Sequence, residues 1–191
     1  MPPVVVLDAC ILYPAAQRDF FMWLAAGGVI RAHWTNQIHD EWMRNVERDY
    51  GIARSVLERV RKLMDQAAGD ALIKHFRQHE HLFTRTDTKD RHVAAAAVAA
   101  RKRTRADIVT IITWNLRDFD RWELAKVGVA TETPDAFLCR LFAKSPDEVI
   151  AALVRMQNNL RNPSKTVGEC ADTLATQGLK NFAELISGVI D

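Results

Sequence analysis

Two runs of strand-forming residues stand out along the chain, and each ends in polar side chains. Residues 4–7, Val-Val-Val-Leu, lead directly into Asp8, and residues 108–112, Ile-Val-Thr-Ile-Ile, lead into Thr113 and a polar turn. β-Branched runs without strict alternation are typical of strands buried on both faces of a parallel sheet. In open α/β sheets the ligand lies at the carboxyl ends of the strands, where the strand order reverses. The pattern therefore predicts an α/β fold with Asp8 at the rim of a site.

Between and after these two runs, apolar residues recur at helical spacing, and two shorter strand patterns occur. Helices are predicted over 15–26, 36–50, 52–64, 71–76, 90–100 and 134–142, and shorter strands over 29–34 and 127–131. Thr35 or Asn36 can cap the helix over 36–50. On that helix Glu41 lies at the edge of the apolar stripe, where a side chain can line a cleft and still meet solvent. Asp40 lies on the polar face, where we expect it to pair with Arg44.

The character of the chain changes at Ser145, after which only helical patterns occur. Ser145-Pro146-Asp147-Glu148 has the form of a capping box with proline at the first helical position. The helix that starts there reaches about Leu160 and is broken by Asn162-Pro163-Ser164, and two further helices are divided by Gly178. We therefore predict two units, residues 1–144 as the α/β domain and residues 145–191 as a helical extension packed on it.

Composition narrows the class of protein only slightly. The chain has 191 residues and a formal net charge of +2, so a nucleic-acid partner would have to be bound by local basic patches. No apolar run is long enough for a membrane span, and no signal peptide is recognisable at the N-terminus. Cys10, Cys139 and Cys170 form no disulfide framework, and we interpret them as thiols without function in a reducing cytoplasm.

Four segments with polar or acidic residues follow one another in a specific order. Asp8 ends the first strand, Glu41 lies on a helix, Lys89-Asp90-Arg91-His92 precedes an alanine-rich helix, and the turn over 113–119 reads Thr-Trp-Asn-Leu-Arg-Asp-Phe. Together with Thr-Pro-Asp-Ala-Phe-Leu at 133–138, this ordered set resembles a PIN domain over roughly residues 3–142. PIN domains are metal-dependent ribonucleases with a central parallel sheet between layers of helices. Many bacterial members are VapC-type toxins of type II toxin–antitoxin pairs.

The resemblance implies a fold, an activity and partners. It implies a three-layer α/β/α fold with a central parallel sheet. It implies an endoribonuclease that cleaves RNA phosphodiesters with Mg²⁺ or Mn²⁺. It further implies a cognate antitoxin, a homodimer and a cytoplasmic location.

The resemblance also implies a set of catalytic, metal-binding residues. Asp8, Glu41 and Asp90 match the first three acidic positions of the family. Many members have a fourth acid where this chain has Asn115, and Asp118 offers a carboxylate three residues later. Either Asp118 completes the cluster or Asn115 serves as a neutral oxygen ligand, with Thr113 in a supporting role.

Clustered carboxylates have a chemical reason to bind a cation. Like charges in one cleft repel each other unless a cation joins them, and Mg²⁺ and Mn²⁺ prefer oxygen ligands. Such a cation activates a water molecule and offsets charge on the scissile phosphate, and Asp90 is our candidate for accepting the proton. We expect Asp8→Asn to melt no lower than the wild type without metal, unless Asp8 is a structural cap. Basic residues that could hold RNA phosphates are Arg44, Arg48, Arg91 and Arg101.

Each candidate residue also has a purely structural interpretation. Asp8 could cap the turn after the first strand, and Glu41 could be a solvated helix residue. Asp87 and Asp90 could cap the alanine-rich helix, and Asp118 the short helix after it. The basic residues from Arg101 onwards suit a helix C-terminus.

Two other enzyme classes that begin with a strand of this kind lack their defining residues in this chain. A haloacid-dehalogenase phosphohydrolase needs a second aspartate where this chain has Cys10, and a Rossmann enzyme needs a glycine fingerprint that is missing. A catalytically weak PIN-like module that binds RNA or regulates another protein remains the main alternative.

Overall fold

Four short parallel strands form the centre of the protein. The computed structural model describes residues 1–160 and 163–190. Its strands are β1 (Val4–Leu7), β2 (Arg31–His33), β3 (Val109–Ile112) and β4 (Val129–Glu132), in the sheet order β2-β1-β3-β4. All neighbouring strands are parallel. Because β2 and β3 lie on opposite sides of β1, the strand order reverses between β1 and β3, which is where α/β sheets bind ligands.

Helices flank this sheet. They are α1 (Ala9–Leu12), α2 (Ala15–Ala26), α3 (Asn36–Tyr50), α4 (Arg54–Ala67), α5 (Arg91–Thr104), α6 (Arg121–Lys126), α7 (Pro134–Lys144), α8 (Pro146–Asn159), α9 (Val167–Thr176) and α10 (Lys180–Ile190). The alanine-rich α5 packs on β1, β3 and β4, and its residues 93–97 are fully buried. Small side chains let the helix approach the sheet closely. The predicted α/β class with a central parallel sheet between helices is confirmed.

The helix predicted over 71–76 is wrong. Its first three residues pair with Trp34, whose backbone N–H donates to the Ala71 carbonyl at 3.1 Å and whose carbonyl accepts from Ile73 at 2.8 Å. A 3₁₀ helix, Arg77–Leu82, follows it. A helix of six residues is marginal by itself. The long-range backbone bonds to Trp34 offer the segment a better alternative.

Two predicted polar interactions are also wrong. Asp40 pairs with Arg54 at 2.7 Å and not with Arg44, because the next helix brings a guanidinium to the same surface. Ser145 makes no side-chain capping bond, since it also ends α7, where its backbone N–H donates to Leu141. The capping box of the C-terminal segment forms instead at Thr166 and Glu169.

The C-terminal helices pack against the sheet domain. Helix α8 lies on α2, and α10 lies on α7 and α9. The Phe182 side chain is fully buried, with its ring 5.5 Å from that of Phe20. Helix α8 ends at Asn159, and Asn162 of the predicted break lies outside the described residues. In the described ranges, 1–160 and 163–190, no helix combines the length and apolar character that a membrane crossing requires.

Candidate active site

Polar side chains meet in an open cavity at the carboxyl ends of β1 and β3. The cavity has a volume of about 630 Å³. Three of the predicted acids, Asp8, Glu41 and Asp90, line it together with Asn115. Its further polar lining consists of Cys10, Tyr13, Arg44, Asn45, Arg48, Asp49 and Lys89. Residues from distant parts of the sequence therefore converge where the strand order reverses.

Asp8 is held rigidly by hydrogen bonds to both carboxylate oxygens. Oδ1 accepts from the backbone N–H of Ala9 at 2.6 Å, so Asp8 caps α1. Oδ2 accepts from the Thr113 hydroxyl at 2.6 Å and lies 3.3 Å from the Cys10 thiol. The same hydroxyl accepts from the Asn115 backbone N–H at 3.0 Å. Asp8 thus serves as a helix cap and lines the cavity at the same time.

The Cys10 thiol belongs to this group of contacts. Burial and the nearby charge of Asp8 raise the pKa of Cys10 to about 12. A thiol with such a pKa stays protonated at neutral pH, so Cys10 is a weak hydrogen-bond donor and not a nucleophile.

Glu41 reaches the cavity from the edge of the apolar face of α3, as the helical periodicity predicted. Its Oε1 lies 2.9 Å from Nε2 of His92, which is buried in the first turn of α5. Among the described residues, the two ring nitrogens of His92 have no partner that is aligned for a hydrogen bond. The structure thus places His92 directly beside one of the predicted acids.

Asp90 is the most unusual carboxylate of the cavity. It is only 7% exposed, and within the described parts of the chain its Oδ2 has no hydrogen-bond partner. Its side chain makes no capping bond to α5. Burial and repulsion from Asp8 raise the pKa of Asp90 to about 7. A buried carboxylate oxygen without a partner is costly unless a proton or a cation neutralises it.

Asp90, which lines the cavity, also belongs to an acidic cluster with Asp87 and Asp118. One carboxylate oxygen each of Asp87, Asp90 and Asp118 lies within 4.8 Å of the others, and this is the one such trio that the described residues form. Asp118 does not line the cavity itself, but its backbone carbonyl accepts from Asp87 at 2.8 Å. We interpreted Asp87 as a cap, and its Oδ1 accepts from the Lys89 backbone at 3.1 Å in a local turn. The Asp118 side chain does not cap α6, because Asp120 does.

A lysine ammonium group already lies between two of these acids. Lys89 Nζ is 3.0 Å from Asp118 Oδ2 and 3.9 Å from Asp90 Oδ2. The hydrogen bond to Asp118 and the charge of Asp90 raise the pKa of Lys89. Its side chain is 64% exposed, so it can leave this position without breaking the core.

The donor set fits a hard divalent cation. It consists of carboxylate oxygens and one amide, which are the ligands that Mg²⁺ and Mn²⁺ prefer. Asp90 is common to the cavity and to the trio with Asp118. Asp8 and Glu41 lie outside this trio, although they line the cavity that Asp90 lines.

Sequence reasoning missed the residue that anchors the loop before Asp90. Glu123 of α6 accepts from the backbone N–H groups of Thr84, Arg85 and Thr86 at 2.7, 2.8 and 3.0 Å. Although partial burial opposes ionisation, these hydrogen bonds lower the pKa of Glu123 to about 2. The loop over 84–90 is thereby tied to α6, and no local pattern in the sequence signals this.

The predicted RNA-contacting residues fall into two groups. Arg44 and Arg48 line the cavity, and Arg48 also pairs with Asp49 at 2.7 Å. Arg91 and Arg101 do not line it. Arg91 donates to the carbonyls of residues 84 and 86, and Arg101 donates to that of residue 107 near the end of α5. Their guanidinium groups have local structural roles, and we restrict the RNA-contact hypothesis to Arg44 and Arg48.

Comparison with known proteins bears on the C-terminal part of the chain. Residues 134–188 match the family described as VapC50 C-terminal domain. The match begins at α7 and ends within α10, and it includes none of the residues that line the cavity. No curated protein and no solved structure matches the chain. The match supports a relationship to VapC-related proteins.

Proposed function

We propose that the protein is a metal-dependent endoribonuclease whose active site is the cavity at the carboxyl ends of β1 and β3. The observation that carries this proposal is the buried carboxylate of Asp90, in a cavity that Asp8 and Glu41 also line. Among the described residues its Oδ2 has no hydrogen-bond partner, and the Lys89 ammonium group lies 3.9 Å away. Folding has gathered like charges there at a cost, which is common at sites that bind cations or exchange protons.

In this proposal Asp8, Glu41 and Asp90 would hold Mg²⁺ or Mn²⁺ in the cavity. Either the Asp118 carboxylate or the neutral oxygen of Asn115 would complete the ligand set. When bound, the cation offsets charge on the scissile phosphate and lowers the pKa of an attacking water. Thr113 and the Ala9 N–H keep the Asp8 carboxylate in a fixed orientation. Asp90 is also our candidate for accepting the proton of the attacking water.

The match over residues 134–188 supports a narrower biological proposal. We infer that the protein acts as the toxin of a bacterial type II toxin–antitoxin pair. It would then cut RNA in the cytoplasm, form a homodimer and be silenced by a cognate antitoxin protein.

A second candidate function is a catalytically weak PIN-like module that binds RNA or regulates another protein. Two observations favour it. Asn115 stands where many PIN domains have an acid. The Lys89 ammonium group also lies 3.0 Å from Asp118, where it competes with a cation for the same carboxylate.

The two candidates differ in metal-dependent cleavage. Mixed-sequence RNA oligonucleotides would be incubated with the protein in EDTA, in Mg²⁺ and in Mn²⁺, and the products separated on a gel. The ribonuclease proposal expects internal cuts that require the metal. Binding of the same RNA without cuts under all three conditions would favour the weak module.

A further inference from the structure

The face of α3 that lines the cavity is acidic at Glu41 and basic further along the helix, at Arg44 and Arg48. Glu41, Arg44, Asn45 and Arg48 all line the cavity. Residues at spacings of three, four and seven lie on one side of a helix. A helix rises about 1.5 Å per residue, so Glu41 and Arg48 are separated by roughly 10 Å along its axis. A strand that enters the cavity along α3 therefore meets two cations before it reaches the acids.

An exposed aromatic pair lies at the end of this path. Tyr50, in the last turn of α3, is 66% exposed, and its ring centroid is 5.8 Å from that of Tyr13 with 36° between the planes. Tyr13 itself lines the cavity. Most large aromatic side chains of the described residues are buried in the core. A solvent-exposed ring beside a charged cavity thus presents a flat apolar face directly to a ligand.

The pair is held in place by charged neighbours. The Tyr13 hydroxyl donates to Asp49 Oδ2 at 2.9 Å. Arg48 donates to both oxygens of the same carboxylate, at 2.7 and 3.1 Å. Gly51, in the left-handed conformation at φ +64°, ends α3 directly after Tyr50. The hydrogen bond to Asp49 orients the Tyr13 ring before any ligand binds, which lowers the entropic cost of binding.

We propose that Tyr13 and Tyr50 stack a base of single-stranded RNA while Arg44 and Arg48 hold its phosphates, which rests on the proposed ribonuclease function. Aromatic faces combined with a basic path are the general means by which proteins bind single strands. In a duplex the bases are stacked and paired, so they cannot lie on a tyrosine. The Arg48–Asp49 pair is exposed, and exposed ion pairs contribute little, so Arg48 can exchange Asp49 for a phosphate.

The test is RNA binding in EDTA, where no metal-dependent cleavage consumes the ligand. The probe is a mixed-sequence single-stranded RNA oligonucleotide with 2-aminopurine at one position, followed by fluorescence, and its duplex form is the comparison. Stacking on one aromatic residue strengthens binding by about 5-fold to 100-fold. Tyr50→Leu should weaken binding by about tenfold, whereas Tyr50→Phe, which keeps the ring, should bind like the wild type. Trp122→Leu removes another exposed aromatic, on α6, whose ring is not paired with a residue of the cavity among the described residues, and it should change nothing.

The outcomes separate this proposal from the ribonuclease proposal. The proposal that Tyr13 and Tyr50 form a stacking platform for an RNA base is wrong if Tyr50→Leu binds as tightly as the wild type, or if the duplex binds as well as the single strand. This holds even when Mn²⁺-dependent cleavage is observed. If Tyr50→Leu weakens binding but no metal supports cleavage, the platform stands and the ribonuclease proposal fails. A wild type that does not bind single-stranded RNA would overturn the platform as well.

Discussion

The carboxylate of Asp135 in the first turn of α7 accepts a hydrogen bond of 3.0 Å from the backbone N–H of Phe182 in the first turn of α10. Its other oxygen accepts from the Asn181 side chain at 2.5 Å. Asp135 thus caps a helix that begins far away in sequence. Both Asp135 and Phe182 are buried, so the interaction is shielded from water. It joins the C-terminal helices to the helix that follows the last strand.

Replacing Asp135 by Ala should destabilise the whole chain. The substitution leaves a buried N–H group of Phe182 without a partner, which costs about 1–3 kcal/mol. Urea unfolding should therefore show a lower midpoint with an unchanged slope. Asn181→Ala removes only the exposed partner and should cost less. Equal stability of Asp135→Ala and the wild type would mean that the C-terminal helices are not held by this cap.

Gly178 connects the same helices to the candidate site. Its φ is +99°, and a Cβ atom at this position would lie 3.0 Å from two ring atoms of Trp114, the residue before Asn115. Gly178→Ala should therefore lower the free energy of unfolding by at least about 1 kcal/mol and reduce RNA cleavage by moving the turn that carries Asn115. Gly188→Ala is the matched control, because a Cβ there meets open space. If both variants behave alike, the contact between Gly178 and Trp114 does not position the turn.

The raised pKa of Asp90 predicts a specific pH dependence of the metal-free protein. Its pKa is about 7 in the folded state against 3.8 in the reference state, so the ionised form is disfavoured by folding. The contribution of Asp90 to stability should therefore fall as pH rises from 4 through 7, with a limiting slope of about 1.4 kcal/mol per pH unit. Asp90→Asn removes this loss and should be the more stable protein at pH 8, with a difference that shrinks towards pH 4.

Urea unfolding in EDTA at pH 4, 5 and 8 measures this difference, with the exposed Asp172→Asn as the control. A difference between Asp90→Asn and the wild type that does not vary with pH would contradict the assignment. Asp8 is less suitable for such a test, because both of its oxygens accept hydrogen bonds and an asparagine offers only one acceptor. The repulsion between the acids is therefore tested with Asp90→Asn, and the expectation that Asp8→Asn melts no lower than the wild type stays a prediction.

Glu123 should matter to the site although it does not line the cavity. Because its pKa is lowered to about 2, its ionised form stabilises the fold above about pH 4.5, and this contribution disappears as pH falls towards 2. Glu123→Gln should lower stability at pH 7 and weaken Mn²⁺ binding, since the loop that carries Asp87 and Asp90 loses its anchor. Calorimetric Mn²⁺ titration measures the second effect, and the exposed Glu148→Gln is the control. Unchanged Mn²⁺ affinity in Glu123→Gln would show that the loop is ordered without this carboxylate.

Local patterns were sufficient for the parts of the site that lie on regular elements. The strand before Asp8 follows from four consecutive apolar residues, and the position of Glu41 follows from the period of α3. For these two residues the position within an element could be predicted from the local pattern of apolar residues. Asp90 lies before α5, and it was singled out by the resemblance to PIN domains.

Contacts between distant segments could not be predicted in the same way. The Thr113–Asp8 bond joins residues 105 positions apart, and the bonds of Glu123 reach back 37 to 39 positions. The segment over 71–76 forms no helix, because its first three residues make backbone bonds with Trp34 in spite of their helical composition. Lys89 came to lie between Asp90 and Asp118 through the folding of two loops, and neither loop has a repeating pattern.

The central claim is that Asp90 belongs to a carboxylate site whose bound metal permits RNA cleavage. The most direct measurement is the single-turnover cleavage rate of a mixed-sequence RNA oligonucleotide as Mn²⁺ is titrated from zero, for the wild type, Asp90→Asn and Asp172→Asn. We expect the wild type and Asp172→Asn to show the same saturable rise, and Asp90→Asn to be slower by at least about 100-fold at every Mn²⁺ concentration. Cleavage that needs no Mn²⁺, or that is equally fast in Asp90→Asn, would contradict the claim.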